Sequence, residues 1–227
     1  MPQMPGHNLR GENFVVSSGY AGSPCRGFQM ITITPIFVNF LATDTLKIDN
    51  TGLEKYCLDL KSRSTGRVIS NGGGWQSGSL DHAAPELQEL LDEVHKRLCE
   101  VHLHFNFNDT RHPAITESWI NVNNHGHFNY AHNHPGSLFS CVYYVKGGAN
   151  KGNIEFMTPI AEHRYTITDK IVDKLNAFTG TNVTLPPVTG ELLIFPAWLF
   201  HQVRRNETDE DRISIAMNST ILSARAS

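Results

Sequence analysis

The chain has 227 residues, 40% hydrophobic and 18% charged, a balance that supports a buried core and argues against a disordered chain. Nineteen Lys and Arg against 22 Asp and Glu leave a formal charge of −3, so no general attraction to nucleic acid or to an anionic membrane is expected. The longest apolar stretch, Leu192 to Phe200, is interrupted by Pro196 and is too short to span a bilayer.

Residues 1–29 are rich in Gly, Ser, Pro and Asn and read as a poorly ordered extension, with one folded domain over 30–227. Met30 to Leu41 reads as a strand broken at Pro35. Thr51-x-x-Glu54 has the form of a capping box ahead of Leu53, Cys57 and Leu60, predicting a helix over 52–62. Gly66 to Ser70 reads as a short strand, and Asn71-Gly-Gly-Gly74 as a flexible break before Trp75. Pro85 suits a first helical turn, and Leu87, Leu91, Val94, Leu98 and Val101 recur at helical spacing, with Leu90 alongside, so a helix is placed at 84–101. Beyond residue 115 the texture changes. The runs Thr116–Asn123, His127–His132, Leu138–Lys146, Gly152–Met157, His163–Thr168, Thr181–Leu185, Glu191–Phe195, Phe200–Arg204 and Arg212–Thr220 alternate with turns. A short helical insertion is expected over Asp169–Phe178. This order predicts a mainly β protein, a sandwich or barrel with N-terminal helices packed outside it.

The four cysteines, at 25, 57, 99 and 141, make no C-x-x-C pair, so neither a zinc knuckle nor a thioredoxin-like site is suggested. The N-terminus shows no basic segment followed by an apolar run. A reducing, cytoplasmic setting is therefore the expectation, and the four N-x-[ST] matches carry no weight.

Histidine is the unusual residue, with twelve copies and three H-x-H pairs. Residues two apart on a strand share a face at about 6–7 Å, so such a pair can present two imidazoles to one metal. In Val101-His-Leu-His-Phe105, alternation puts the apolar residues inward and His102 and His104 on a solvated face. His125 and His127 flank Gly126 in a hairpin turn. His132 and His134 stand at the end of a β-run, before Pro135-Gly136-Ser137. His201 is a polar ring in an apolar run and needs a hydrogen bond or a metal. Two neighbouring histidines and a distant third form a plausible first-row metal set. Imidazole alone does not choose between Fe, Cu, Zn and Ni. Arg212 and Ser214 then open the last strand on one face with Ala216, while Ile213, Ile215 and Met217 take the other. The guanidinium fork can bind a carboxylate bidentately, with the Ser hydroxyl adding a bond.

These motifs, together with Ser118-Trp-Ile-Asn-Val-Asn123, Ala131-His-Asn-His-Pro-Gly-Ser137, Ser140-Cys-Val-Tyr-Tyr-Val145 and Gly190-Glu-Leu-Leu-Ile-Phe-Pro196, resemble the Fe(II)- and 2-oxoglutarate-dependent oxygenases, in a branch related to the prolyl hydroxylases. The resemblance spans residues 30 to about 222. It implies a double-stranded β-helix, or jelly roll, and a dioxygenase. Such an enzyme would hydroxylate an unidentified small molecule or peptide with O2, releasing succinate and CO2. His132 and His201 resemble the first and distal iron ligands, and His134 the second. Arg212 resembles the residue that binds the far carboxylate of 2-oxoglutarate, assisted by Ser214 and Tyr144, with Asn121 or Asn123 touching the cosubstrate. The family usually places Asp or Glu where this chain has His134. A three-histidine iron site is the expectation. A carboxylate from elsewhere, with Glu155 the nearest strand acid, and a different metal without oxygenase chemistry are the alternatives. Trp75, Gln76, His125 and His127 are candidates for the substrate surface. Two other readings stand beside this one: a cupin-type three-histidine dioxygenase that uses no 2-oxoglutarate, and a non-enzymatic jelly-roll module with buried histidines. The oligomeric state is left open.

Overall fold

Two periodicities, 2 in the strands and 3.6 in the helices, organise the computed structural model of the chain, which describes residues 39–108, 110–166, 172–173, 176 and 178–223. The chain divides after Val38, and every described residue belongs to the second unit, Asn39–Ser227. The extension expected over 1–29, most of the strand expected over 30–41 and most of the insertion expected over 169–178 lie outside the described residues.

In chain order the first elements are β1 (Ala42–Thr45), α1 (Asn50–Ser62), β2 (Asn71–Gly72), β3 (Trp75–Gln76), α2 (Pro85–His104), β4 (Arg111–Asn123) and β5 (Phe128–His132). There follow β6 (Phe139–Lys146), β7 (Ile154–Met157), α3 (His163–Thr166), β8 (Asn182–Leu185), β9 (Glu191–Pro196), β10 (His201–Val203) and β11 (Arg212–Ser223). The strands make two antiparallel sheets, of order β1-β9-β6-β11-β4-β3 and β2-β5-β10-β7-β8. From β4 onward the chain crosses repeatedly between the two sheets, the winding of a double-stranded β-helix. The mainly β fold with outer helices read from the sequence is the fold observed.

The helices cover one face of the larger sheet. Leu53 and Cys57 of α1, with Leu87, Leu90, Val94 and Leu98 of α2, share a core with Ile120, Val122, Cys141, Tyr143, Ile213, Ile215 and Met217. The opposite face of that sheet looks toward the smaller sheet, where Leu193, Phe195, Ile154 and Phe156 form a second apolar cluster with Tyr144. Among the described residues no helix is long and apolar enough to cross a membrane.

Several local expectations are corrected. The N-cap of α1 is Asp49, whose Oδ1 accepts from the backbone N–H groups of Thr51 at 3.0 Å and Gly52 at 3.1 Å. Glu54 is thereby free of a capping role and accepts from Lys146 Nζ at 2.8 Å. Helix α2 runs on to His104, so Val101–Phe105 keeps the helical period and not the strand period. That turns His102 into the interior, its ring 5.3 Å from that of Phe107, and leaves Leu103 71% exposed. His163–Thr166 forms a helical turn in place of the expected strand. Gly66–Ser70 contributes only the isolated bridge Arg67↔Gln76. The first described strand, β1, begins after Leu41.

Candidate active site

Strand register builds one wall of the site. Ser214 of β11 pairs with Asn121 of β4 on one side and with Tyr144 of β6 on the other, and Gln76 of β3 pairs with Asn121. Residues opposite one another in a ladder share a face, so four polar side chains stand in a row on the inner face. Arg212, two residues before Ser214, lies on the same face opposite Asn123. Ile213 and Ile215 are fully buried on the other. Asn121, Tyr144, Arg212 and Ser214 line a cavity between the sheets.

The smaller sheet supplies the opposite wall. His201 opens β10 and pairs with His132 at the end of β5 and with Phe156 of β7. His134 follows two residues beyond β5. Its backbone N–H donates to the Ala197 carbonyl at 2.8 Å, tying that loop to the turn before β10. The three rings converge. Centroids lie 4.5 Å apart for His132–His201, 5.0 Å for His132–His134 and 5.3 Å for His134–His201, and one nitrogen from each lies within 4.8 Å of the others. His132 Nδ1 donates to the Tyr130 carbonyl at 2.6 Å and His201 Nδ1 to the Leu199 carbonyl at 2.9 Å. A carbonyl only accepts, so each ring carries its proton on Nδ1 and keeps the Nε2 lone pair free. Burial lowers all three imidazoles. His134 is brought to about 4, with His132 adding to the shift, and His201 to about 3, with His132 again the second cause. The rings are therefore neutral at neutral pH, the form that ligates a metal.

Glu155 does not join them. Residues alternate along β7, so Phe156 shares the face of its partner His201 and Glu155 faces away with Gln202. Its carboxylate accepts from Asn182 Nδ2 at 2.6 Å, Gln202 Nε2 at 2.9 Å and Arg204 Nε at 2.5 Å. Among the described residues, the three histidines alone form a cluster of metal-ligating side chains.

Arg212 is 2% exposed, and no acidic side chain among the described residues pairs with it. Nη1 donates to the Gly152 carbonyl at 2.9 Å, Nη2 approaches Asn129 Oδ1 at 3.4 Å, and Nε–H has no partner among the described residues. Burial lowers the guanidinium to about 10, with nearby Tyr144 opposing the shift, and burial raises the Tyr144 phenol. Gly152 makes this packing feasible. At φ +88°, a Cβ there would lie 2.3 Å from the Arg204 carbonyl oxygen and 2.9 Å from Arg212 Nη1.

All but Asn123 of the residues expected at the site line this cavity. Asn123 stands behind, its Nδ2 donating to Asn129 Oδ1 at 3.2 Å. Trp75 belongs to the helix-side core, with Nε1 donating to the Ser64 carbonyl at 2.9 Å. Gln76 lines an outer groove that also reaches His132 and His134. His125 lies 3.6 Å from the exposed Asp209 carboxylate, and His127 Nδ1 accepts from the Asn124 N–H at 3.1 Å. Both serve the β4–β5 turn and line none of these spaces.

One lining residue, Asn129, escaped the sequence reading. Between His201/Val203 of β10 and His132/Asn129 of β5 the register slips by one residue, a β-bulge. The extra residue lets Asn129 and His132, three apart, face the same cavity. Strict alternation would have put them on opposite faces.

A double-stranded β-helix thus brings three convergent imidazoles and a buried guanidinium, without an acidic partner among the described residues, to one cavity, a set of groups able to hold a metal ion and an anionic ligand. Residues 117–218 match the family model described as "Putative 2OG-Fe(II) oxygenase". No curated protein sequence matches the chain. Among solved structures, a Pseudomonas putida prolyl-4-hydroxylase superposes with a TM-score of 0.55 at 14% identity, covering 79% of this chain and 92% of that one. HygX from Streptomyces hygroscopicus, with nickel, 2-oxoglutarate and hygromycin B bound, gives 0.55 at 14% identity, covering 81% and 83%. The carbocyclase SnoK of nogalamycin biosynthesis gives 0.58 at 11% identity, covering 79% and 78%. The chain is similar to the Fe(II)/2-oxoglutarate-dependent oxygenase superfamily, in sequence over residues 117–218 and in its fold. Its residues fit that superfamily's cofactors: three neutral nitrogen donors suit a ferrous ion, and a buried cation with an unpartnered N–H suits a carboxylate.

Proposed function

We propose that this chain is a dioxygenase that hydroxylates an organic substrate with O2, using Fe(II) and 2-oxoglutarate and releasing succinate and CO2. The observation that carries this reading is the presence, in one cavity, of three metal-competent imidazoles and a buried guanidinium answered by no acidic side chain among the described residues. When bound, the ferrous ion supplies the redox chemistry that couples cosubstrate decarboxylation to oxidation of a C–H bond.

The protein's share is positioning. His132, His134 and His201 hold the metal through one nitrogen each. Backbone carbonyls orient two of those rings. Arg212 receives the carboxylate far from the keto group, and the Ser214 and Tyr144 hydroxyls stand beside it. Asn121, whose Oδ1 is buried without a partner among the described residues, borders the same ligand. Three neutral ligands leave the full dipositive charge on the metal. The negative charge of 2-oxoglutarate then strengthens metal binding, and by reciprocity the metal strengthens binding of the cosubstrate. A cupin-type centre working without 2-oxoglutarate would leave the Arg212 charge buried and unanswered.

The substrate approaches through the outer groove, about 300 Å³ in volume, where Trp119 and Tyr130 flank His132 and His134. That size suits a small molecule or a single side chain of a peptide. Hydroxylation, in place of the ring closure named for SnoK, is the outcome assigned because it asks for no second reacting group on the substrate.

Anaerobic titration of the purified chain with Fe(II) and then 2-oxoglutarate tests the reading. A weak visible charge-transfer band that appears only with both ligands is expected, followed by succinate formation on admitting air. Oxygen uptake without succinate would favour the cupin-type chemistry, and no metal binding at all would favour a non-enzymatic module.

A further inference from the structure

The function proposed above assigns no role to Asn129, which the β5 bulge turns into the cavity. Its side chain is buried, and its hydrogen bonds run in three directions. Oδ1 receives Asn123 Nδ2 at 3.2 Å and Arg212 Nη2 at 3.4 Å, and Nδ2 reaches Ser70 Oγ at 3.5 Å. Guanidinium nitrogens only donate, so the atom facing Arg212 is the amide oxygen. With Nη1 held by the Gly152 carbonyl and Nη2 met by Asn129, the plane and rotation of the fork are set, and Nε–H is left for a ligand.

The chemical identity of this group matters. A carboxylate at the same place would orient the fork equally well, but it would also neutralise it. The amide oxygen carries only a partial charge, so Arg212 stays cationic in a buried place.

We propose that Asn129 is a positioning residue for 2-oxoglutarate: it fixes the Arg212 guanidinium through a neutral acceptor and so keeps the positive charge available to the cosubstrate. This rests on the function proposed above. Asn129 acts through Arg212, and Asn123 and Ser70 hold Asn129.

The test compares wild type, Asn129→Asp and Asn129→Ala. Three quantities are read: Fe(II) affinity without cosubstrate, 2-oxoglutarate affinity of the anaerobic Fe(II)-loaded protein from its visible band, and the unfolding midpoint. In Asn129→Asp an internal carboxylate occupies Arg212, and 2-oxoglutarate affinity should fall by about 30-fold or more while Fe(II) affinity stays within about twofold. Asn129→Ala frees the fork without neutralising it, and the loss should be smaller, about 3- to 10-fold. If Asn129→Asp does not fold, the selective loss in Asn129→Ala decides the matter. Unchanged 2-oxoglutarate affinity in the variant that folds, or equal losses of iron and cosubstrate affinity, would overturn the proposal and assign Asn129 to the fold alone. Failure of the wild type to show a 2-oxoglutarate-dependent band would overturn the parent function instead, which separates the two failures.

Discussion

The two faces of the larger sheet are built from the same strands and do opposite work. On β11, Ile213, Ile215 and Met217 turn toward the helices and are fully buried among apolar neighbours, while Arg212, Ser214, Ala216 and Asn218 turn toward the smaller sheet. Buried side-chain polar atoms lacking a partner divide in the same way. Gln76 Oε1, Asn121 Oδ1, Asn123 Oδ1 and Arg212 Nε lie on the inner face, and His102 Nδ1 is the one other case among the described residues. Buried polar atoms are normally satisfied, and two of these, Asn121 Oδ1 and Arg212 Nε, belong to residues that line the cavity where the cosubstrate is proposed to bind. The helix side is apolar, and the inner side leaves part of its hydrogen bonding incomplete among the described residues.

Substitutions can break this division. The largest effect is expected at the metal: His201→Ala should reduce Fe(II) affinity by more than the about 10–100-fold that loss of an outer-shell partner costs. His134→Ala should do likewise, and His134→Asp should recover much of the binding, because a carboxylate is a competent Fe(II) ligand. Equilibrium metal titration checks all three, and normal iron binding by His134→Ala would sink the three-histidine centre.

Next comes the helix side. Ile215→Ala should cost about 2–5 kcal/mol of folding stability in denaturant unfolding, with Fe(II) affinity of the folded protein unchanged. A parallel loss of metal affinity would mean that the two faces are not independent.

Arg212→Lys keeps a charge but loses the fork, so 2-oxoglutarate affinity should fall by about 1–3 kcal/mol. Fe(II) affinity without cosubstrate should hold, as calorimetry or the visible band can show. The smallest effect belongs to Glu155→Gln, where iron affinity should stay within about twofold because this side chain points away from the histidines. A large drop there would restore Glu155 as a ligand.

Much of this was legible in the sequence because it is local. Alternation along Arg212–Met217 assigns each side chain to a face before any partner strand is known, and helical spacing from Leu87 to Val101 identifies the covering helix. His132 and His134 announce themselves by their spacing, and His201 by its apolar surroundings. Other features depend on contacts between distant segments. Whether Val101–Phe105 is helix or strand turns on where α2 stops packing, and both periods are consistent with those five residues. The cap of α1 falls on Asp49, and Glu54 finds its partner in Lys146, 92 residues away. Which of His134 and Glu155 stands with the other two histidines was decided in part by the register of β7 against β10, which puts Phe156 and not Glu155 beside His201. Asn129 reached the cavity only through a bulge that no alternation pattern contains. Local periodicity determined which faces exist and what chemistry each carries. Strand pairing, with its register and the residue slipped in β5, decided which of those side chains meet, because pairing is set by segments far apart in the chain.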